Sequence, residues 1–332
     1  MSNITTSING KQVVEHAAKI INLQSGFLEK LLCDGPTFSS GTACVYKCSF
    51  CYVENLMAKT PAVSALTAST GKAFQDLVIR RKDPVAMVVQ QLTIAGKPKF
   101  TDPNDNRVIF ASPLVDVAAN MELVRETAEI CIKILELTFW QIRLLSKSNL
   151  LPQVAKLIPD KYKDRVIYGV STGTMDDTLA KAFEEGTALV SKRISSLHWL
   201  QDNGYRTFGM ICPSLPHDDY KKFSEDAAKA LRIDRCEHVW AEVLNVRGDS
   251  MTRTCNSLEA AGYFKEAEDI RRVSASPEAW EEYARQTFLG HVETIPADKL
   301  RFLQYVNETN IDWWRDYKTK GAILLGKIAT SV

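Results

Sequence analysis

Residues 44–52 read Cys44-Val45-Tyr46-Lys47-Cys48-Ser49-Phe50-Cys51-Tyr52. The spacing is C-x3-C-x2-C, three thiols on one short loop. Three thiolates can bind three irons of a [4Fe–4S] cube, and the fourth iron is then left without a protein ligand. An open coordination position permits chemistry, as it does at catalytic zinc. The competing reading is a zinc knuckle or an inert cysteine group. Zinc takes a fourth ligand, usually Cys or His at short spacing. No His lies between His16 and His198, and the nearest other cysteine is Cys33.

The 332 residues hold five further cysteines: Cys33, Cys131, Cys212, Cys236 and Cys255. The N-terminal MSNITTSINGKQ has no apolar signal core. No apolar run approaches the roughly 18 residues of a membrane span. The expected location is therefore the cytoplasm, where disulfides are disfavoured, so the cluster reads as a metal site. The chain is 45% hydrophobic and 24% charged, which excludes disorder as the main state. With 41 Lys+Arg against 40 Asp+Glu the net charge is +1. That argues against a broad basic nucleic-acid surface and leaves room for a local groove.

Outward from the loop, Val13, Val14, Ala17, Ile20 and Ile21 recur at helical spacing, predicting a helix over 11–32 that Gly35-Pro36 ends. Helices are also expected over 64–82 and 84–95. Beyond them strands alternate with helices: strands at 107–111, 140–145, 166–171, 206–212 and 239–246, helices at 121–137, 150–157, 176–185, 191–202 and 218–231. Strand then helix, repeated about five times, means βα units around a parallel sheet. After residue 250 the chain reads as mostly helical and polar. The fold class is α/β, a partial (β/α)6 TIM-type barrel with an N-terminal helix and a helical C-terminal extension. The expected organisation is 1–36, 37–250 and 251–332. In such a barrel the C-terminal strand ends form the active site. Those ends carry Ser112, then Ser146 and Lys147, then Ser171 and Thr172.

The loop, with Phe50 before its third Cys, resembles the radical S-adenosylmethionine (SAM) superfamily. The resemblance implies a [4Fe–4S] cluster on Cys44, Cys48 and Cys51, with SAM chelating the open iron. One-electron reduction, by a donor such as flavodoxin or ferredoxin, then cleaves SAM to methionine and a 5′-deoxyadenosyl radical that abstracts hydrogen from substrate. Three further stretches, 142–151, 168–187 and 192–216, make residues 37–250 similar to the spore photoproduct lyase-like branch. That branch works at the methyl carbon of thymine in DNA. It carries a Tyr directly after the third Cys, here Tyr52. Its strand-end Lys and Ser that hold the SAM carboxylate match Lys147 and Ser171.

The departures narrow the chemistry. The branch's lyases have a Cys just after the second barrel strand, which returns hydrogen to the product radical. Here that stretch is FASPLVD (110–116), without Cys. The O–H bond of Ser112 is too strong to replace a thiol, whereas the phenol of Tyr52 is a weaker donor. The Gly-Gly-Glu motif for the SAM amine is also absent, and Ser112 and Asp116 are the residues available in its place. The pattern points to a rearrangement rather than repair, such as the isomerisation of a glycylated thymidine that some phages use to hypermodify their DNA, which would place the enzyme in the host cytoplasm. The alternatives are lyase-like repair, a radical SAM enzyme for a small molecule or peptide, and a non-catalytic iron–sulfur or zinc module.

Other residues carry two readings. Ser171 precedes Thr174 and Asp176-Asp177, so it is a SAM ligand or part of a helix N-cap region. Arg247, at the end of the last expected strand, is an anion binder or a loop residue. Cys255, in the polar stretch NVRGDSMTRTCN, reads as an accessible thiol near the barrel mouth and a candidate hydrogen donor. Cys212 is a lesser donor candidate. Glu185 and Arg193 read as a pair through the resemblance, or as a helix-end salt bridge. Trp313-Trp314 reads as core or as a base-stacking surface. The oligomeric state is not legible.

Overall fold

The computed structural model describes residues 7–111, 113–245 and 249–326. They form two compact units. The first holds the residues up to Tyr168 together with Glu184–Ala188; the second holds Gly169–Phe183 and the residues from Leu189 onward.

In the first unit, strands Thr37–Phe38, Val108–Ala111 and Gln141–Ser146 run parallel, with Ile21–Asn22 antiparallel on the edge. Ile109, Phe110, Ala111, Ile142 and Leu144 are all buried, the near-continuous apolar run of a parallel strand covered on both faces. Helix Met121–Leu137 follows, as expected. Asn120 caps it by accepting from the Leu123 N–H at 2.9 Å. It buries Leu123, Thr127, Ile130, Cys131 and Ile134 on one stripe.

The N-terminal segment corrects the sequence reading. No α-helix lies over 11–32 among the described residues, which hold there only the short 3-10 turn Gly26–Leu28. Lys11–His16 is a strand, paired in parallel with Leu77–Arg81 from Gln12↔Leu77 to His16↔Arg81. Asn9 (φ 51°) and Gly10 (φ 74°) turn the chain into it from Ser7–Ile8. Asn-Gly with both φ positive is the hairpin turn that matches strand twist. The expected helix over 64–82 is likewise divided. Helix Pro61–Thr70 stops at Gly71, which adopts φ 65°, and Leu77–Arg81 is the strand just described. Gly41–Ala43 pairs on that strand's other side. A side chain at Gly41 would place its Cβ 2.6 Å from the Ile79 carbonyl oxygen, so only glycine permits this approach.

In the second unit, Arg206–Ser214, Val239–Val243, Leu300–Tyr305 and Ala322–Leu325 are parallel neighbours in that order. The last two correct the expectation of a helical C-terminal extension. Helices Ser250–Ala260, Phe264–Val273 and Pro277–Thr294 are present, and the chain then returns to the sheet. Trp314 is core: its Nε1 donates to Glu281 Oε1 at 2.6 Å and its ring stacks on Phe302. No helix among the described residues is long and apolar enough to cross a membrane.

Candidate functional site

The cysteine loop follows Gly41–Ala43. Cys44, Cys48 and Cys51 are half-buried and form no disulfide among the described residues. Tight spacing folds the loop back on itself, the Cys51 N–H donating to the Cys48 carbonyl at 3.2 Å. Burial pushes the Cys44 thiol up to about 11, the nearby Asp116 charge adds to this, and backbone N–H groups of Asp116 and Tyr46 pull it back. Burial also pushes Cys48 well up, with the Glu184 charge next and Lys147 opposing. Such thiols are inert as thiols; ligation to a metal deprotonates them outright.

Among the described residues no three His, Cys, Asp or Glu side chains converge as ligands of one ion. A cube takes each thiolate at a different iron, so three separate thiols on one loop fit an iron–sulfur cluster.

Three of the expected site residues stand around this loop in the first unit. Asp116 is a brace. Its Oδ1 accepts from Ser146 Oγ and from the Ala118 N–H, each at 2.8 Å, and its Oδ2 accepts from the Lys147 N–H at 2.7 Å. It thus ties the segment after Val108–Ala111 to the end of Gln141–Ser146. Lys147 leaves that strand end toward the loop. Its Nζ lies 5.3 Å from the centre of the Phe50 ring and 2.6 Å from Glu184 Oε1. Tyr52 follows Cys51; it is 41% exposed and its hydroxyl donates to the Pro113 carbonyl.

Sequence reasoning missed two residues here. Glu184, whose side chain is fully buried, lies in a two-residue strand antiparallel to Lys47–Cys48 and directly opposite Cys48. It reads as the end of a helix, which in fact stops at Phe183. The second is Lys11, whose Nζ donates to the carbonyls of Cys44 at 3.0 Å and Tyr46 at 2.7 Å. The Asn9-Gly10 turn was the signal that could have placed it on a strand.

In the second unit, Ser171 Oγ donates to the Cys212 carbonyl at 3.0 Å, and its own carbonyl accepts from Arg193 Nη1 at 2.9 Å. Arg193 is fully buried, and Glu185 pairs with Lys47 at 3.5 Å. Cys212 Sγ faces Glu242 Oε2 at 3.9 Å. Cys255 corrects its expectation. It lies within helix Ser250–Ala260, not in a polar loop. It is 3% exposed, and its thiol is directed at the Ala267 carbonyl at 3.5 Å. Residues 249–255 place no polar loop there because helix Ser250–Ala260 packs its Met251, Thr254, Cys255 and Leu258 face inward. Ser112 and Arg247 lie outside the described residues.

The fold this geometry defines is a mixed α/β fold built on parallel strands, with a thiol-rich loop after Gly41–Ala43. It is similar to that of spore photoproduct lyase. A cysteine-to-serine mutant of that lyase matches with a TM-score of 0.52 at 12% identity, over 74% of this chain and 66% of that one. The lyase complexed with dinucleoside spore photoproduct matches with a TM-score of 0.50 at 12% identity and the same coverage. The chain thus spans just under two thirds of the lyase. A curated relative, "Uncharacterized protein ORF301" of Acidianus two-tailed virus, is 23% identical over 244 residues, 70% of this chain and 75% of its own length. No family model matches.

Proposed function

We propose that this chain is a radical SAM enzyme acting on a thymine-derived nucleotide in DNA, with residues 37–250 as its core, a partial (β/α)6 barrel. One observation carries the reading: the Glu184↔Cys48 bridge sets the Lys147 ammonium beside Phe50, against the loop of Cys44, Cys48 and Cys51. Those three cysteines would hold a [4Fe–4S] cluster, and the bound cluster would supply the electron that cleaves SAM to a 5′-deoxyadenosyl radical. Lys147 is the cation for the SAM carboxylate. Asp116 fixes the backbone from which Lys147 extends. Ser171, Ser112 and Arg247 are further SAM-ligand readings from the sequence, and Tyr52 stands beside the loop as a hydrogen donor. Flavodoxin or ferredoxin is the reductant class, and the cytoplasm the compartment.

The substrate reading rests on the sequence FASPLVD, which lacks the lyase-type Cys. An isomerisation of glycyl-thymidine ends without a thiol donor of that kind, and the viral origin of the 23% identical relative is in keeping with modification of viral DNA. A duplex target must first be extruded into a local groove, at a cost of a few kcal/mol.

The test is anaerobic reconstitution with iron and sulfide, followed by SAM and dithionite. 5′-Deoxyadenosine should form, and Cys48→Ala should abolish it. A cluster signal indifferent to SAM reduces the protein to a binding module. Nucleoside mass spectrometry after incubation with glycyl-thymidine DNA, dimer-containing DNA or peptide then separates isomerase, repair lyase and peptide enzyme.

A further inference from the structure

Lys11 is a buried cation without a counter-anion. It is 4% exposed, and among the described residues no carboxylate pairs with it. Its two hydrogen bonds go to neutral acceptors, the carbonyls of Cys44 and Tyr46. A desolvated ammonium in that state costs several kcal/mol, which two carbonyls offset only in part. Burial pushes its pKa down from the ordinary lysine value; Cys44, Cys51 and Cys48 act the other way when ionised, and Lys47 acts with burial. All three favourable groups are thiols of one loop.

We propose that Lys11 is the resident counter-cation of the centre held by Cys44, Cys48 and Cys51: it anchors the loop backbone and its charge offsets the negative charge of the thiolate-bound cluster. This rests on the iron–sulfur reading above. Lys11 is a positioning and charge-compensating residue, not a catalytic one. Its strand reaches the loop because Lys11–His16 pairs with Leu77–Arg81, whose other edge carries Gly41–Ala43 into Cys44. The cation therefore stands on a sheet rather than on the loop it serves. Reduction potentials of such clusters follow net charge and hydrogen bonding. Removing a fixed positive charge disfavours the added electron.

Three variants separate the anchor from the charge. Lys11→Met removes both, Lys11→Gln keeps an N–H donor without charge, and Lys11→Arg keeps the charge. Each is purified without metal, its melting temperature is measured, and it is then reconstituted for iron content and for the midpoint potential by spectroscopically monitored titration. Metal-free Lys11→Met should melt no lower than the metal-free parent, because an uncompensated charge has been removed. Once reconstituted it should retain several-fold less iron. Lys11→Gln should show a midpoint potential shifted to more negative values, and Lys11→Arg should stay near the parent. A parent that holds a cluster, with Lys11→Gln at the same potential and iron content, overturns the role of Lys11 and leaves the iron–sulfur reading standing. A parent that takes up no iron–sulfur cluster overturns both. Should Lys11→Met fail to fold, Lys11→Gln against Lys11→Arg still decides the matter.

Discussion

Lys147 Nζ donates to Glu184 Oε1 at 2.6 Å, with the carboxylate fully buried and the lysine side chain only 14% exposed. The two residues are 37 positions apart in sequence, and Glu184 faces Cys48 of the cysteine loop across the strand pair. In the proposed reaction Lys147 must serve a second carboxylate, that of SAM, without giving up the first. An ammonium has three donors, so one cation can serve both.

Breaking this pair from one side should be costly. Lys147→Met takes a charged partner from a fully buried carboxylate and should destabilise by about 3–5 kcal/mol. The losses of Lys147→Met and Glu184→Gln should sum to more than that of the double variant, because each single change already removes this ion pair. Denaturant unfolding of the four proteins of this cycle measures the coupling. Strictly additive losses would show that the pair does not act as a unit.

Asp116→Asn should be felt through Lys147. The carboxylate accepts from three donors, Ser146 Oγ and the N–H groups of Ala118 and Lys147. An amide has only one oxygen, so in either orientation a buried donor loses its acceptor, at about 1–3 kcal/mol. The lysine backbone is then no longer fixed. The expectation is a lower urea midpoint together with weaker SAM binding by calorimetry. Weaker binding at unchanged stability would mean that Asp116 touches the ligand itself.

What was legible in the sequence follows from what each signal depends on. Met121–Leu137 was read with its bounds, because a cap, a 3.6-residue stripe and length agree locally. The N-terminal helix failed because Val13, Val14, Ala17, Ile20 and Ile21 satisfy helical spacing while the partner strand is over sixty residues away. Pairing overrode periodicity, and the Asn9-Gly10 turn was the local sign of it. Leu300–Tyr305 buries Phe302, Leu303 and Gln304 in succession without a period-two alternation, and six such residues after a long helix give a weak signal. At the site, the cysteine spacing and Lys147 were legible because one is a local motif and the other a strand end. Glu184 and Lys11 were not, since a fully buried charge is defined only by the partners that the fold brings to it.

Cys255 should be silent to reagents in the folded protein. Its thiol is 3% exposed, and burial raises its pKa, the neighbouring Arg271 charge opposing. Both effects suppress the thiolate that alkylating agents attack. Iodoacetamide should label it only above the unfolding midpoint, as read by peptide mass spectrometry. Cys255→Ala should leave the yield of 5′-deoxyadenosine unchanged. Rapid labelling under native conditions would restore the accessible-thiol reading.

Acid should weaken the second unit well before ordinary carboxylates titrate. His291 is fully buried within helix Pro277–Thr294, where its Nδ1 meets Ser224 Oγ at 2.8 Å. Burial lowers its pKa from 6.5 to about 3, and the nearby His217 ring, itself lowered by burial to about 4, adds to the effect. The unfolded chain therefore binds more protons than the folded one between about pH 3 and 6.5. Stability is at its full value above pH 6.5 and falls as the pH drops through that window. By pH 5 the loss assignable to His291 should reach about 2 kcal/mol, at about 1.4 kcal/mol for each pH unit below 6.5. His291→Gln removes the titrating ring, so its stability should depend less on pH from 6.5 down to 5, whatever its absolute value. Denaturant unfolding at pH 8, 6.5 and 5 provides the comparison. A variant that loses as much stability as the parent over that range would show that His291 takes up no proton on unfolding.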